Sequence, residues 1–151
     1  MATGALLLLT SCQHRRAGAF QESDHYMDEV NITNIAKGNY SGINESIDLV
    51  ITSEEDWREL WEKMHAGTYP VKELPDIDFS SRTVLASFLG TRSTGGYSIE
   101  FSRLVKKNRT IKAIFTDKSP EPGAMVTTAL SQPYHVVCIG LADKDIEIIR
   151  E

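Results

Sequence analysis

The sequence predicts a mainly β, α+β fold: an antiparallel β-sandwich or open barrel carrying one amphipathic helix. Three observations lead there. Short runs of alternating apolar and polar residues recur between turn-forming segments. Only one stretch, between Thr52 and Gly67, has helical periodicity. The chain of 151 residues, 41% hydrophobic and 25% charged, is long enough for one domain with a sizeable core.

The elements follow in order. MATGALLLLTSC places an apolar run, Ala5 to Leu9, before small residues, the pattern of a secretory signal. Its end, Leu9-Thr10-Ser11-Cys12, resembles the lipobox of bacterial lipoproteins, in which cleavage before the cysteine exposes a thiol and an amine for acylation. Residues 1–12 are therefore expected to be a signal peptide ending in a lipobox, with Cys12 the lipidation site. Acyl chains, at about 0.8 kcal/mol per buried methylene, would hold the protein at a membrane surface. No stretch reaches the roughly 18–20 apolar residues that span a bilayer, so membrane contact is expected through the N-terminal lipid only. Gln13, rather than an aspartate, follows the cysteine, as in outer-membrane lipoproteins. The expected location is the bacterial cell envelope, at the outer membrane, periplasmic or surface-facing. Residues 13–27, QHRRAGAFQESDHYM, read as a polar tether, and residues 28–151 as a single β-rich domain.

In that domain the helix is the best-signposted element. Ser53 stands at a capping position with Asp56 three residues on, and Glu54, Glu55 and Asp56 place negative charge at the positive end of the helix dipole. Trp57, Leu60, Trp61 and Met64 form one apolar stripe, and Gly67 is placed to end the helix. At that spacing the two tryptophans read as core rather than as a ligand-stacking surface. Strands are predicted around Ile47–Ile51, Val84–Leu89, Tyr97–Ser102, Ile111–Phe115, Tyr134–Cys138 and Ile146–Ile148. Val84–Leu89 is nearly all apolar, as in a strand covered on both faces. Short connections favour antiparallel pairing.

Two loops stand out. TRSTGGYS (91–98) combines adjacent glycines with hydroxyls, an arginine and a tyrosine. SPEPGAMVTTALSQPYH (119–135) holds three of the five prolines, Pro120, Pro122 and Pro133, and Gly123 permits a turn that other residues resist. Its Ala124–Leu130 stretch could add a short strand or a helical turn. Arg92, Thr94, Gly95, Gly96, Tyr97, Pro122 and Gly123 are the candidate partner-binding residues. The simpler account of the first loop is that Gly95-Gly96 makes a tight turn and Tyr97 begins the inward face of the next strand.

Catalytic and ligand-binding templates fit poorly. Net charge is −5, which gives no general field for a phosphate backbone. Lys106, Lys107 and Arg109 read as a solvated hairpin tip, and no nucleic-acid partner is expected. GTRSTGG (90–96) has the glycine spacing of a phosphate loop but Gly96 where the lysine belongs, so no nucleotide is expected. His14, His25, His65 and His135 are scattered, which does not support zinc. His135 and Cys138, three apart in a strand, should face opposite ways, with Cys138 a small buried hydrophobe. Cys12 and Cys138 do not suggest a disulfide. Asp76 and Asp78 read as a surface loop. The chain is thus read as a non-enzyme without cofactor or metal.

The order W-x-x-x-W (Trp57, Trp61), VLASFLGTRSTGGYSI (84–99), SPEPGAMVTTAL (119–130) and PYHVVCI (133–139) resembles the C-terminal domain of the PrcB family, over about Ser41 to Ile139. That family usually has proline where this chain has Ser93, and often glutamine where it has Thr128. The resemblance implies an exported accessory subunit of a surface protease complex, acting by binding a protein partner, a protease among the candidates. A second resemblance is shorter. Thr94-Gly95-Gly96-Tyr97 is similar to the TTGY-type loop of chagasin-like cysteine-protease inhibitors, and it implies an inhibitor using loops 91–98 and 119–135 as the alternative.

Overall fold

In the computed structural model, residues 25–27, 30–107, 109–141 and 145–151 are described. The stretch read as an export signal, Cys12 and most of the stretch read as a tether lie outside them. Eight strands and one helix follow in the order β1 His25–Tyr26, β2 Ile32–Gly38, β3 Ile47–Ile51, α1 Glu54–Met64, β4 Thr83–Phe88, β5 Ser98–Lys107, β6 Thr110–Lys118, β7 Tyr134–Ile139 and β8 Ile146–Arg150. They make two four-stranded sheets, β1-β5-β6-β8 and β2-β7-β4-β3. The fold is the β-rich α+β sandwich that the pattern predicts, and no sheet closes into a barrel.

The second sheet is the middle of three layers. Val84, Ala86 and Phe88 join Tyr134, Val136 and Cys138 in a core with Trp57, Leu60, Trp61 and Met64 of α1. Leu85, Leu89, Val137 and Ile139 point the other way, into a core with Ile99, Leu104, Ile111, Ala113, Phe115 and Ile146. Every residue of β4 and β7 is therefore buried. A strand with two dry faces cannot alternate, which is why Val84–Leu89 reads as a continuous apolar run.

The helix forms as its sequence dictates. Ser53 Oγ accepts from the Asp56 N–H at 3.2 Å, and the first turn is acidic. Each indole N–H leaves the core to meet a carbonyl of the segment that follows: Trp57 Nε1 donates to Pro75 O at 3.1 Å and Trp61 Nε1 to Lys72 O at 3.2 Å. Leu74, Ile77 and Phe79 of that segment pack on the same core. Asp78 is a local turn residue, its carboxylate accepting from the Ser80 and Ser81 hydroxyls, which hold it below the usual carboxylate range.

Four details differ from expectation. β6 and β8 pair in parallel, since a connection that crosses over, not a hairpin, brings the chain end back beside β6. β1 lies inside the stretch read as tether: Tyr26 pairs with Val105, and Met27 donates to Leu104 O at 3.2 Å and packs on the second core. Residues 124–130 form neither strand nor helical turn. The alternation of β5 breaks at a bulge between Phe101 and Arg103. Beyond the bulge β5 and β6 pair down to Lys107↔Thr110, leaving Lys106 and Arg109 exposed at the hairpin end.

The bulge frees a backbone donor. Phe101 N–H donates to His135 Nδ1 at 2.8 Å, so the neutral ring carries its proton on Nε2, which is buried without a partner among the described residues. Burial, aided by Lys37 and opposed by Glu100, holds the imidazole below its ordinary value of 6.5. The sign follows: the native state resists a proton that the unfolded chain accepts, so stability present above pH 6.5 is lost as pH falls through the interval down to the native value. Denaturation midpoints measured from pH 7.5 to 5.5 should fall for the wild type. They should fall less steeply for His135→Asn, whose Oδ1 stands where Nδ1 does and can still accept from Phe101.

Candidate functional site

Three loops gather at one end of the middle sheet. Residues 39–46 lead into β3, 90–97 join β4 to β5, and 119–133 join β6 to β7. The last two are bound as a pair. Arg92 N donates to Ser131 O at 2.7 Å and Ser131 N to Arg92 O at 3.0 Å, a small antiparallel bridge. Gly95 N donates to Thr127 O at 3.0 Å, and Ser131 Oγ to Thr94 O at 2.7 Å.

The glycines belong to this pairing. A Cβ on Gly95 would collide with the Thr127 hydroxyl. One on Gly96, whose φ is +86°, would stand 3.0 Å from both Pro120 Cβ and Val126 Cγ1. Bare backbone at 95–96 therefore lets one loop lie against the other. Tyr97 is half-buried against the second core, and the Arg92 guanidinium lies 5.5 Å from its ring centroid, a cation–π contact inside the protein. Of the residues singled out from sequence, Arg92, Thr94, Gly95, Gly96 and Tyr97 thus meet the companion loop or the core. Pro122 and Gly123 stand exposed.

The third loop is tied in by polar groups. Gln132 Nε2 donates to Asn44 Oδ1 at 2.6 Å, Thr91 Oγ1 donates to the same oxygen at 3.1 Å, and Gly42 N donates to Gln132 Oε1 at 3.1 Å. Gly90, at φ +71°, is crossed by this loop so closely that a Cβ would lie 2.7–2.8 Å from Asn44 O, Glu45 C and Ser46 N.

On this scaffold large apolar side chains face solvent. Met125 is fully exposed, Tyr40 is 73% exposed and Leu130 65%. Sequence reading passes over all three, because a single apolar residue in a loop has no periodicity to mark it. Their signal is contextual: the loops that carry them are pinned by proline and by hydrogen bonds, so the exposure is held rather than transient.

A second constellation is also invisible in sequence. Register sets Lys37 beside His135, His135 beside Ser87 and Ser87 beside Asp48, a polar row across the middle sheet. Asp, Ser and His thereby stand side by side, but their bonds are not those of a nucleophilic relay. Ser87 Oγ is completely buried and donates to Asp48 Oδ1. That carboxylate is held by Arg150, through Nε at 3.0 Å and Nη2 at 2.7 Å, while His135 accepts from Phe101. Lys37 reaches Glu100 at 2.8 Å. The row joins the two sheets through Lys37–Glu100, His135–Phe101 and Asp48–Arg150. Cys138 lies on the opposite face of β7 from His135, buried in the helix-side core.

The family model described as PrcB C-terminal matches residues 83–139. No curated protein and no solved structure matches the chain. The matched span begins at β4, so the Trp57–Trp61 pair lies outside it, and it runs through β7, taking in both paired loops with Met125 and Leu130. The match to the PrcB C-terminal family is thus confined to residues 83–139, less than half of the chain.

Proposed function

We propose that this protein is an exported, lipid-anchored, non-enzymatic binding protein that serves as an accessory subunit of a surface protease complex in the bacterial envelope. One observation carries the reading. The family match coincides with the two loops that brace each other and hold Met125 and Leu130 in water. Rigid loops presenting fixed apolar anchors bind a partner with little ordering cost. The lipobox-like Leu9-Thr10-Ser11-Cys12 supports anchoring at the outer membrane. The inhibitor alternative draws on glycines left bare for an enzyme to approach; here Thr127, Pro120 and Val126 occupy that space.

The test is co-purification from envelope membranes of cells producing the tagged full chain. Wild type should retain a protease and lengthen its half-life. A Met125→Glu/Leu130→Glu double variant, altered only at exposed positions, should keep its fold and retain about tenfold less. Undiminished retention by the variant would remove these loops from the interface. A wild-type complex without a protease would sink the accessory reading, and dose-dependent loss of protease activity on adding the chain would favour inhibition instead.

A further inference from the structure

A groove separate from the loop pairing lies between β3 and α1. Among the described residues β3 is an edge of the middle sheet, paired only with β4. Beside it is a cavity of about 300 Å³, floored by Leu49, Ile51 and Leu60 and rimmed by Asp56, Glu59 and Lys63 of the helix. Exposed strand edges recruit other strands, and proteins ordinarily guard them with bulges, lysines, charges or brevity. The other described edges have such guards. β1 is two residues long, β2 has a bulge between Asn34 and Ala36 and carries Lys37, and β8 carries Glu147 and Arg150. β3, with the sequence IDLVI, pairs in unbroken register and has neither bulge nor lysine. Its single charge, Asp48, is turned to the other sheet and bound by Arg150 and Ser87.

We infer that this groove takes an extended, basic segment of a separate polypeptide, which adds a strand to β3 and places lysine or arginine side chains against Asp56 and Glu59. Main-chain bonds to the strand edge supply affinity, and alternate side chains enter the apolar floor. Charge selects the occupant. The helix exposes Glu54, Glu55, Asp56, Glu59 and Glu62 against Arg58 and Lys63. A second copy pairing through β3 would bring two such acidic helices together, whereas a basic strand is attracted. From Asp56 to Lys63 the helix rises about 10 Å, the reach of about three strand residues. The occupant is therefore short and cationic at the Asp56 end. This inference does not depend on the accessory-subunit reading.

The probe is an acetylated hexapeptide, Lys-Thr-Val-Thr-Val-Thr, whose lysine and valines share the one face that an added strand turns to the helix; its counterpart has glutamate for lysine, and both are titrated against the full chain. Hydrogen exchange is followed through residues 47–51. The lysine peptide should bind saturably and slow exchange in β3, with the glutamate peptide at least about tenfold weaker. Glu59→Lys, on an exposed helix position, should weaken the lysine peptide about tenfold, while Glu121→Lys, with the same change in net charge in a distant loop, should leave it unchanged. No saturable binding, equal weakening by both variants, or protection of β3 in a concentration-dependent dimer of the chain alone would each overturn the inference.

Discussion

Trp57→Ala should cost about 3–5 kcal/mol, a large part of the 5–15 kcal/mol that holds a domain of this kind together. The indole is 1% exposed and sits where the helix, the middle sheet and the segment after the helix meet. It packs 5.2 Å from the Trp61 ring, and its N–H is bound by Pro75 O. Truncation therefore opens a cavity on the sheet and removes one of the two indole bonds that tie the following segment to the helix, the one to Pro75 O. Denaturant unfolding should show a lower midpoint with little change of slope. Trp57→Phe separates the two losses: it keeps most of the packing and gives up the hydrogen bond, at roughly 1 kcal/mol for the bond plus a smaller cavity term. Equal losses in both variants would show that the N–H bond, rather than burial, carries the effect.

Gly90→Ala should be nearly as damaging, at about 2–4 kcal/mol, although it adds a single methyl. Two penalties combine. The backbone is left-handed, which costs an ordinary residue about 1–2 kcal/mol, and the methyl meets three backbone atoms of residues 44–46 that no rotamer change can move. Gly123→Ala is the control, because its φ of +83° is similar and nothing lies within 4 Å of the added carbon. The difference between the two melting-temperature shifts isolates the collision. The Gly90 variant should also lose the bond between Thr91 and Asn44, visible as faster amide exchange in residues 42–46. Equal shifts would mean that the loop gives way freely and that the three-loop cluster is soft.

The fold was legible where one residue's neighbours in sequence are also its neighbours in space. The Trp57–Met64 stripe, the Ser53 cap and the apolar run of β4 state their burial locally. Pairing did not state itself in this way. β6 and β8 are parallel because of where β8 returns, and nothing in Ile146–Arg150 encodes that direction. The two loops were legible as unusual, through paired glycines and clustered prolines. Their mutual contact was not, because Gly95 and Thr127 are brought together only by the sheet. The same holds for the polar row. Lys37, Asp48, Ser87 and His135 are ordinary single polar residues until strand register aligns them.

The strand order of the middle sheet also bears on when the chain can fold as it is made. β2 and β4 do not touch as sheet neighbours; each is hydrogen-bonded to β7, which comes some fifty residues after β4 and about a hundred after β2. Until residue 139 is available, the central layer is two unconnected pieces and neither core can close. A chain emerging N-terminus first, from a ribosome or through a membrane, therefore stays unfolded over nearly its whole length, with long-range contacts deferred to the last step. Under the export proposed above, that order would keep the chain threadable until its last strands are through.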